Sequence, residues 1–241
     1  MLTAIGYTGL YIFVMAMVAL TYRNGLLRMG LELPKVKKRL VVLLAIFGIW
    51  AIYLYLIGES GLLWSFEMPP RFLLLVFLPI TIITAFIFIK NRKSPIFESI
   101  PKQKVLYFQS FRIVVELMIL ATYLEGVFPV ETTFEGYNYE IIVGLLAPII
   151  TYAVYSKKWL SENVALAFNY LGLATLAIII FIVITSLYLP SFWGDSVPRI
   201  GEAFSHVPYL LLPGFLAPAA IFAHIFSIMQ IRKSKQALGK S

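Results

Sequence analysis

Long apolar segments alternate with short polar segments along the whole chain. Each apolar segment is unbroken and ends at charged residues, at proline or at a group of polar residues. Because about 20 apolar residues in a helix cross a hydrocarbon core of roughly 30 Å, the pattern predicts membrane-spanning helices. The chain contains seven such segments, at Leu2–Tyr22, Leu40–Ile57, Phe72–Ile89, Val105–Val127, Ile141–Tyr155, Val164–Leu189 and Val207–Ile231. The fifth is the shortest, and Pro148 within it predicts a kink.

The composition agrees with this pattern. Of the 241 residues, 60% are hydrophobic and 13% are charged, whereas soluble domains carry about 25% charged residues. The mean hydropathy is +0.87. The apolar segments take up most of the chain, so we expect one all-α, polytopic transmembrane domain over residues 1–241 and no separate soluble domain. The chain has no cysteine, which excludes disulfides, thiolate nucleophiles and Cys-ligated metals.

The basic residues indicate the orientation, because loops rich in Lys and Arg stay on the cytoplasmic side. Of the 20 Lys and Arg residues, 17 fall in the first, third and fifth connections and in the C-terminal tail. We therefore predict seven crossings, with the N-terminus outside and the C-terminus in the cytoplasm. These loops and anionic lipid headgroups explain the formal charge of +8, so we expect the lipid bilayer, and no nucleic acid, as a partner.

An internal repeat is a further hypothesis about the architecture. Pro70–Phe88 laid on Pro208–Phe226 without gaps gives 9 identities in 19 positions. A real match predicts that residues 1–93 are repeated in residues 141–235, with a linker helix at residues 105–127. This arrangement and the chain length resemble the seven-span proteins of the SWEET and KDEL-receptor type, although the chain lacks a Pro-Gln loop motif. Apolar helices match one another easily, so a chance match stays the alternative.

Charged residues within a span are informative, because each costs about 2.5–3.5 kcal/mol at a helix centre on insertion scales. The fourth span contains Arg112 and Glu116, four residues apart and therefore on one helix face, with Gln109 one turn earlier. We expect Arg112 and Glu116 to pair. In one interpretation the pair only lets the helix tolerate two charges. In the other it lines a polar cavity, where Glu116 changes protonation and Arg112 binds an anionic group.

Depth in the bilayer predicts neighbours for these residues. At about 1.5 Å per residue, Arg112 lies roughly 10 Å from the cytoplasmic end of its span, and His224 and Asn169 lie close to that level. We therefore predict a polar cluster in the cytoplasmic half that binds a solute or an ion. Its members are Gln109, Arg112, Glu116, Asn169 and His224. His224 alone is also typical of a hydrogen-bonded packing residue. The chain's only other histidine, His206, lies at the outer boundary of the same span, too far along it to share a haem with His224, so we expect no haem, no other cofactor and no metal.

Further features are predicted nearer the outer side. The acidic and aromatic segment Glu131–Glu140 joins the fourth and fifth spans and predicts an interfacial loop or a short lid. Candidate outer-loop residues are Glu135, Asn138 and Arg71. The prolines at positions 208, 213 and 218 predict that the outer half of the seventh span is broken, as in helices that line cavities.

Several motifs in the second half of the chain form one combined sequence pattern. They are Arg112-Ile-Val-Val-Glu116, residues 133–138, Leu146-Ala147-Pro148, Asn169 and the proline-rich stretch that ends at His224. On these motifs the chain resembles a family of bacterial seven-span membrane proteins, mostly from Bacteroidota-like genomes, over about residues 105–230. It departs from the family pattern at Ala223 and Phe168. No activity is assigned to that family, so the resemblance implies an inner-membrane location and no chemistry.

Three functions are compatible with these observations. The leading interpretation is a small permease or a proton- or ion-coupled carrier, in which Glu116 and His224 bind or relay a proton and Arg112 binds a small solute. The alternative is a sensor or assembly subunit without transport, in which the cluster only locks the bundle. A lipid-modifying enzyme comes third, because the chain has no HExxH motif and no serine–histidine arrangement of the rhomboid type. We name no catalytic residue, and a homo-oligomer is compatible with each function.

Overall fold

A computed structural model describes residues 2–65, 67–91 and 93–238, and all regular elements within them are helical. The α-helices are α1 (Leu2–Arg28), α2 (Leu33–Glu59), α3 (Leu78–Asn91), α4 (Ile96–Ser99), α5 (Lys102–Phe108), α6 (Arg112–Leu124), α7 (Glu140–Thr151), α8 (Glu162–Tyr188) and α9 (Ala217–Leu238). The π-helices Leu73–Phe77, Tyr152–Ser156 and Leu212–Leu216 are continuous with α3, α7 and α9. The 3-10 turn Gln109–Phe111 joins α5 and α6 into one helix.

The predicted helical membrane bundle is confirmed. Within the described ranges, six helices are long and apolar enough to cross a membrane, and Glu140–Ser156 is a shorter apolar helix. Each predicted segment overlaps one of these helices, but the ends differ. α2 begins at Leu33, ahead of the predicted Leu40, because Pro34 starts the helix and the basic residues that follow continue it. Charge marks where a helix leaves the hydrocarbon, and the helix itself extends further.

Four helical units surround the polar interior. α7 packs against α5, α6 and α8, while α9 packs against α5 and α8. α1 lies beside α6, α2 lies beside α1, and α3 lies beside α9. α2 and α3 are at the edge of the bundle and expose apolar side chains such as Ile49 and Ile89. In a membrane these side chains contact lipid tails, which are as apolar as the side chains themselves.

The last predicted span is broken in its first half, as its prolines predict. The chain forms a turn at residues 207–210, and the helix then starts with the π-helix Leu212–Leu216. Pro218 has no N–H to donate to the carbonyl of Gly214, four residues earlier. The indole N–H of Trp50 on α2 donates to this carbonyl, with Nε1 2.7 Å from the oxygen. A side chain of a neighbouring helix thus satisfies a backbone group that proline leaves free.

The same device recurs at the start of α3. Pro79 cannot donate to the carbonyl of Leu75, and the hydroxyl of Tyr53 donates to it over 2.6 Å. Leu75 lies in the π-helix Leu73–Phe77. The rings of Trp50 and Tyr53 stack with their centroids 4.9 Å apart. One face of α2 therefore binds both π-helices.

The predicted internal repeat stays a prediction. Its aligned segments, Pro70–Phe88 and Pro208–Phe226, each contain a π-helix that continues into an α-helix. The ungapped alignment pairs Leu73 with Leu211, whereas the second π-helix begins at Leu212. The two π-helices are therefore one residue out of register with the alignment.

Residues 127–139, which we name the inserted segment, fold into the bundle between α6 and α7. The chain turns at Gly126, whose φ of +76° is the left-handed conformation typical of a helix end. Thr132, Thr133 and Asn138 of the inserted segment are buried, although most of its backbone is not helical. Irregular backbone at membrane depth is tolerated where protein covers it.

The inserted segment explains why α7 is short. A Cβ on Gly144 would lie 2.9 Å from the backbone nitrogen of Ile113, so these two residues lie at one level of the antiparallel pair α6–α7. Glu140 is therefore near the level of Glu116, about 12 Å from the end of α6. The predicted outer position of Glu140 and Asn138 is thereby corrected, because the connection between the fourth and fifth spans folds inwards.

A carboxylate at the end of α6 connects three parts of the chain. Glu125 follows directly after α6 and accepts hydrogen bonds from the hydroxyls of Thr3 (2.6 Å) and Tyr209 (2.9 Å). Both bonds favour the charged carboxylate and lower the pKa of Glu125 below its ordinary value. The start of α1 is thus bound to α6 and to the turn that precedes the last helix.

We expect Glu125→Gln to lower the melting temperature at neutral pH and to have a progressively smaller effect as the pH falls below about 4.3. The pKa of Glu125 is lower in the folded protein than the value of about 4.3 in unfolded chains, so its charged form stabilises the fold above that value. As the pH falls through the folded-state pKa, the wild-type carboxyl becomes neutral and resembles glutamine. The measurement is the melting temperature of detergent-purified protein across this pH range, with the exposed Glu135→Gln as control. If the melting temperatures of wild type and Glu125→Gln differed by the same amount at every pH, the stabilising role of the charged Glu125 carboxylate would be contradicted.

Candidate functional site

Arg112 is the largest fully buried side chain of the described residues. It directly follows the 3-10 turn Gln109–Phe111, near the middle of the joined helix α5–α6. Its Nη1 lies 2.8 Å from Nε2 of His224 on α9, and its Nη2 donates to the hydroxyl of Thr175 on α8 over 3.3 Å. Nη2 also forms an ion pair with Glu140 at the start of α7. One guanidinium thus binds three neighbouring helices.

Among the described residues, Arg112 forms its ion pair with Glu140. The sequence predicts Glu116 as the partner instead. Side chains four positions apart on a helix can meet, but an i,i+4 pair with the basic residue first is the weaker of the two orientations. Glu116 is 1% exposed. Its Oε2 accepts a hydrogen bond from Nδ2 of Asn138 over 2.7 Å.

Asn138 positions the start of α7. Its Nδ2 donates to Glu116 and to the carbonyl of Thr132 (2.9 Å), and its Oδ1 accepts from the backbone N–H of Glu140 (3.1 Å). An asparagine oxygen that accepts from the N–H two residues later forms an Asx turn, which here directly precedes α7. The Glu140 carboxylate lies at the positive end of the α7 dipole, which stabilises its charge. Asn138 therefore fixes the positions of both carboxylates.

The hydrogen bonds around His224 assign its tautomer. Asn169 donates from Nδ2 to the carbonyl of Ala165 (2.7 Å) and to the hydroxyl of Ser227 (2.9 Å), so its Oδ1 is an acceptor. Nδ1 of His224 lies 2.9 Å from this oxygen and donates to it. Nε2 then carries no hydrogen and accepts from Arg112. In this arrangement the imidazole is neutral and positions the guanidinium.

His224 packs directly on the backbone of α8. A Cβ on Gly172 would lie 2.2 Å from Cε1 and Nε2 of the ring. Phe168, one turn earlier, meets the imidazole edge to face, with centroids 5.8 Å apart. Thr175, almost one turn later, donates to the carbonyl of Gly172 over 3.1 Å while accepting from Arg112. α8 and α9 approach this closely because Gly172 has no side chain.

The cluster contains more acidic than basic groups. Arg112, at 2% exposure, is buried with two carboxylates, Glu116 at 1% and Glu140 at 4%. His224 is neutral in the tautomer assigned above. If both carboxylates were ionised, the cluster would carry one net negative charge, and a buried unbalanced charge is strongly unfavourable. One added proton or one cation makes the cluster neutral.

A cavity of about 80 Å³ borders the cluster. Arg112, Glu116 and Glu140 line one end of it, and the other lining side chains are apolar. Among the described residues, Nε of Arg112 and Oε1 of Glu140 are buried without a hydrogen-bond partner. Two of the polar side chains that line the cavity therefore have one donor and one acceptor that are not used within the described part of the protein.

The structure brings the five residues of the predicted cluster into one region, and all are buried. Arg112, His224 and Asn169 form a continuous hydrogen-bonded chain. Glu116 lines the same cavity as Arg112. Gln109 is attached to α9, where its Nε2 donates to the carbonyl of Ala220 over 3.1 Å. The role of these residues in binding stays a prediction.

The three outer-loop candidates lie in different surroundings. Asn138 belongs to the buried cluster. Glu135 is exposed, and its backbone N–H donates to the hydroxyl of Thr133 over 3.2 Å. Arg71 is half-buried and lies two residues before the π-helix Leu73–Phe77. They do not form a common site.

Sequence reasoning missed three members of the cluster. For Glu140 a signal was present, because Asn138 stands just before an apolar run and is a typical N-terminal cap. Thr175 and Ser227 gave no signal, since single hydroxyl residues within an apolar span bond to their own helix as readily as to a neighbour. Only the approach of α8 and α9 assigns their partners.

Comparison with protein-family models, with characterised proteins and with solved structures finds no match to this chain. The resemblance to a bacterial seven-span family therefore stays a prediction. Any function has to rest on the cluster and its surroundings.

Proposed function

We propose that this protein is a proton-coupled carrier of the bacterial inner membrane, in which Glu116 binds the coupling proton. In the proposed topology the chain crosses the membrane seven times, with the N-terminus outside and the C-terminus in the cytoplasm. The helix Glu140–Ser156 and the inserted segment together make the fifth crossing. The concentration of 17 of 20 Lys and Arg residues in alternate connections and the tail supports this orientation.

The observation that carries the proposal is the burial of two carboxylates with one guanidinium. Glu140 is paired with Arg112, whereas the hydrogen-bond partner of Glu116 among the described residues is the neutral amide of Asn138. Glu116 is therefore the carboxylate whose charge has no dedicated partner, and a proton on it makes the cluster neutral. Arg112 lies in the middle of the helix Lys102–Leu124, which supports a site close to the membrane midplane, where carriers bind their substrates, rather than one well within the cytoplasmic half.

Protonation of Glu116 can be coupled to movement through Arg112. When Glu116 loses its proton, Arg112 gains a second anionic partner one turn away, and its ion pair with Glu140 is weakened. Glu140 is the first residue of α7 and is held by Asn138 of the inserted segment. The start of α7 and the inserted segment are thus the parts that we expect to move with the proton.

Proton flux in proteoliposomes tests this proposal. With a pH-sensitive dye inside the vesicles and a potassium–valinomycin clamp, we expect wild-type flux well above that of protein-free vesicles. Glu116→Gln should reduce the flux to the protein-free level, because the amide has a similar shape but cannot release a proton. Glu135→Gln, an exposed carboxylate, is the matched control and should retain wild-type flux. Wild-type flux in folded Glu116→Gln would exclude Glu116 as the proton site.

A second measurement needs no transported substrate. Infrared difference spectra recorded across a pH jump should contain a carboxyl band in the wild type that is missing in Glu116→Gln. The band should persist in Glu135→Gln if it arises from the buried group. Identical spectra of wild type and Glu116→Gln would show that Glu116 does not exchange a proton.

The competing function is a structural or assembly subunit without transport. One observation favours it: hydrogen bonds connect Arg112 with His224, Asn169, Ser227 and Thr175, which is the pattern of a cluster that locks three helices together. For such a subunit, Glu116→Gln would lower the melting temperature, no flux would be seen, and the protein would copurify with a partner.

A further inference from the structure

An apolar crevice leads from the side of the bundle to the cluster. It is lined by the π-helices Leu73–Phe77 and Leu212–Leu216 and by the middle of α8. Its outer side chains, such as Ile180 and Val183, are half-buried, whereas Leu216 near its inner end is fully buried. α8 packs on α7 and α9, while α3 packs on α9, so the crevice lies between α8 and α3. In a membrane its outer edge faces the lipid tails.

Two of the side chains that line the crevice each have a buried polar atom without a hydrogen-bond partner among the described residues. These atoms are Nε of Arg112, a donor, and Oε1 of Glu140, an acceptor. Both side chains are more than nine-tenths buried, at 2% and 4% exposure. Buried polar groups in native proteins are normally paired, so these two atoms are available to a ligand that enters the crevice.

A hydroxyl group fits these two atoms. Its oxygen accepts a hydrogen bond from Nε of Arg112 while its hydrogen is donated to Oε1 of Glu140. The rest of the ligand must be apolar, because every other lining residue apart from Glu116 is apolar. We propose that the crevice binds a single-chain lipid through a neutral terminal hydroxyl group.

The charge of the cluster argues against an anionic headgroup. Glu116 and Glu140 already face one guanidinium, and a third carboxylate would add to the negative excess. A long-chain alcohol and a fatty acid in its protonated form both present the required hydroxyl. The ionised form of the acid does not, so the dependence of binding on pH distinguishes these two sources.

The size of the cavity limits how the ligand is placed. Its volume of about 80 Å³ is roughly half that of a 150 Å³ cavity that binds benzene. Only the hydroxyl and the first carbon atoms therefore fit in the enclosed part. The remaining chain runs outwards between α8 and the π-helix Leu73–Phe77, where lipid tails surround it.

This inference deepens the proposed function, because it names the class of the carried solute, and it rests on that function for the transport of the ligand. Binding itself can be measured separately. The probe is hexadecanol with a photoreactive diazirine in its chain, added to the full-length protein in lipid nanodiscs. Labelled residues are then mapped by mass spectrometry.

We expect labels on the crevice residues Phe77, Ile180 and Val183. Unlabelled hexadecanol should compete for the site, and hexadecane, which has the same chain without the hydroxyl, should not. Palmitic acid should compete only at acidic pH. Equal competition by hexadecane, or stronger competition by ionised palmitate, would overturn the proposed recognition of a neutral hydroxyl.

Variants that fill the crevice provide a second test. Ala217→Phe places a ring in the lining, and Ile180→Trp narrows the outer edge with less disturbance of the interior. Either variant, if folded, should reduce specific labelling by about tenfold or more, because the ligand chain can no longer bury its apolar surface in the crevice. Ala85→Phe, on the exposed face of α3, is the control. Labelling that is unchanged by both crevice variants would overturn the proposal.

The outcomes separate this inference from the carrier function. If specific labelling is absent but flux that depends on Glu116 is present, the lipid site is excluded and the carrier proposal stands. If labelling is specific but no flux is found, the lipid site stands and the carrier proposal fails.

Discussion

The Arg112→Met variant is expected to unfold with a free energy about 3–5 kcal/mol below that of the wild type. Methionine has a similar length but no charge, so Glu140 would remain buried at 4% exposure without a positive partner. His224 would also lose the donor to its Nε2. Removing one member of a buried ion pair is costly because the remaining charge stays in apolar surroundings. The measurement is equilibrium unfolding in mixed micelles, followed by tryptophan fluorescence.

A double variant separates the lost charge pair from lost packing. Arg112→Met combined with Glu140→Leu removes both charges and should recover part of the loss, with an interaction energy of about 1–3 kcal/mol in the double-mutant cycle. Lys233→Met breaks the exposed ion pair with Glu98 and should change the stability by less than about 1 kcal/mol. Simple addition of the two single losses would show that Arg112 and Glu140 do not stabilise each other.

Gly172→Ala is expected to lower the free energy of unfolding by about 2–4 kcal/mol, although alanine is the better helix former. The new Cβ would lie 2.2 Å from the His224 ring, so the ring has to leave its place. Its hydrogen bonds to Arg112 and Asn169 are then broken. The stability is measured by the same unfolding assay, and proton flux should fall with it because Arg112 loses the group that positions it.

Gly48→Ala on α2 is the matched control, because no atom lies within 4 Å of its new Cβ. It should be neutral or stabilising by up to about 1 kcal/mol. A second comparison uses His224→Ala as the background, in which Gly172→Ala has no ring to displace and should cost little. If Gly172→Ala lowered the free energy of unfolding equally with and without the His224 ring, its effect would not arise from the contact with that ring.

Much of the fold could be predicted because hydrophobic length is a local property of the sequence. α8 illustrates this: its predicted span Val164–Leu189 nearly coincides with the observed Glu162–Tyr188. The ends were less predictable where a helix continues past the membrane boundary. At the start of α2, Pro34 and the basic residues that follow it are helical. Lysine favours a helical backbone and its side chain favours contact with water, so the helix continues beyond the apolar segment.

Some members of the candidate site were predictable, but their pairing was not. Arg112, Asn169 and His224 could be grouped because polar side chains avoid lipid and turn to the interior. The partner of Arg112 depends on the inserted segment, whose inward path is a tertiary feature. One signal was available: the predicted fifth span of 15 residues is only about 22 Å long, shorter than the hydrocarbon core of roughly 30 Å. Because a helix this short cannot cross the hydrocarbon core alone, another segment of the chain has to complete the crossing.

The attachment of α2 to both π-helices has a consequence for the effect of the surrounding bilayer. The apolar part of α2, residues 40–57, spans about 27 Å and matches an average hydrocarbon thickness. In a thinner bilayer such a helix tilts. Trp50 and Tyr53 would transmit that tilt to the carbonyls of Gly214 and Leu75 together. Membrane thickness thus acts on both sides of the crevice at once, through a helix at the edge of the bundle.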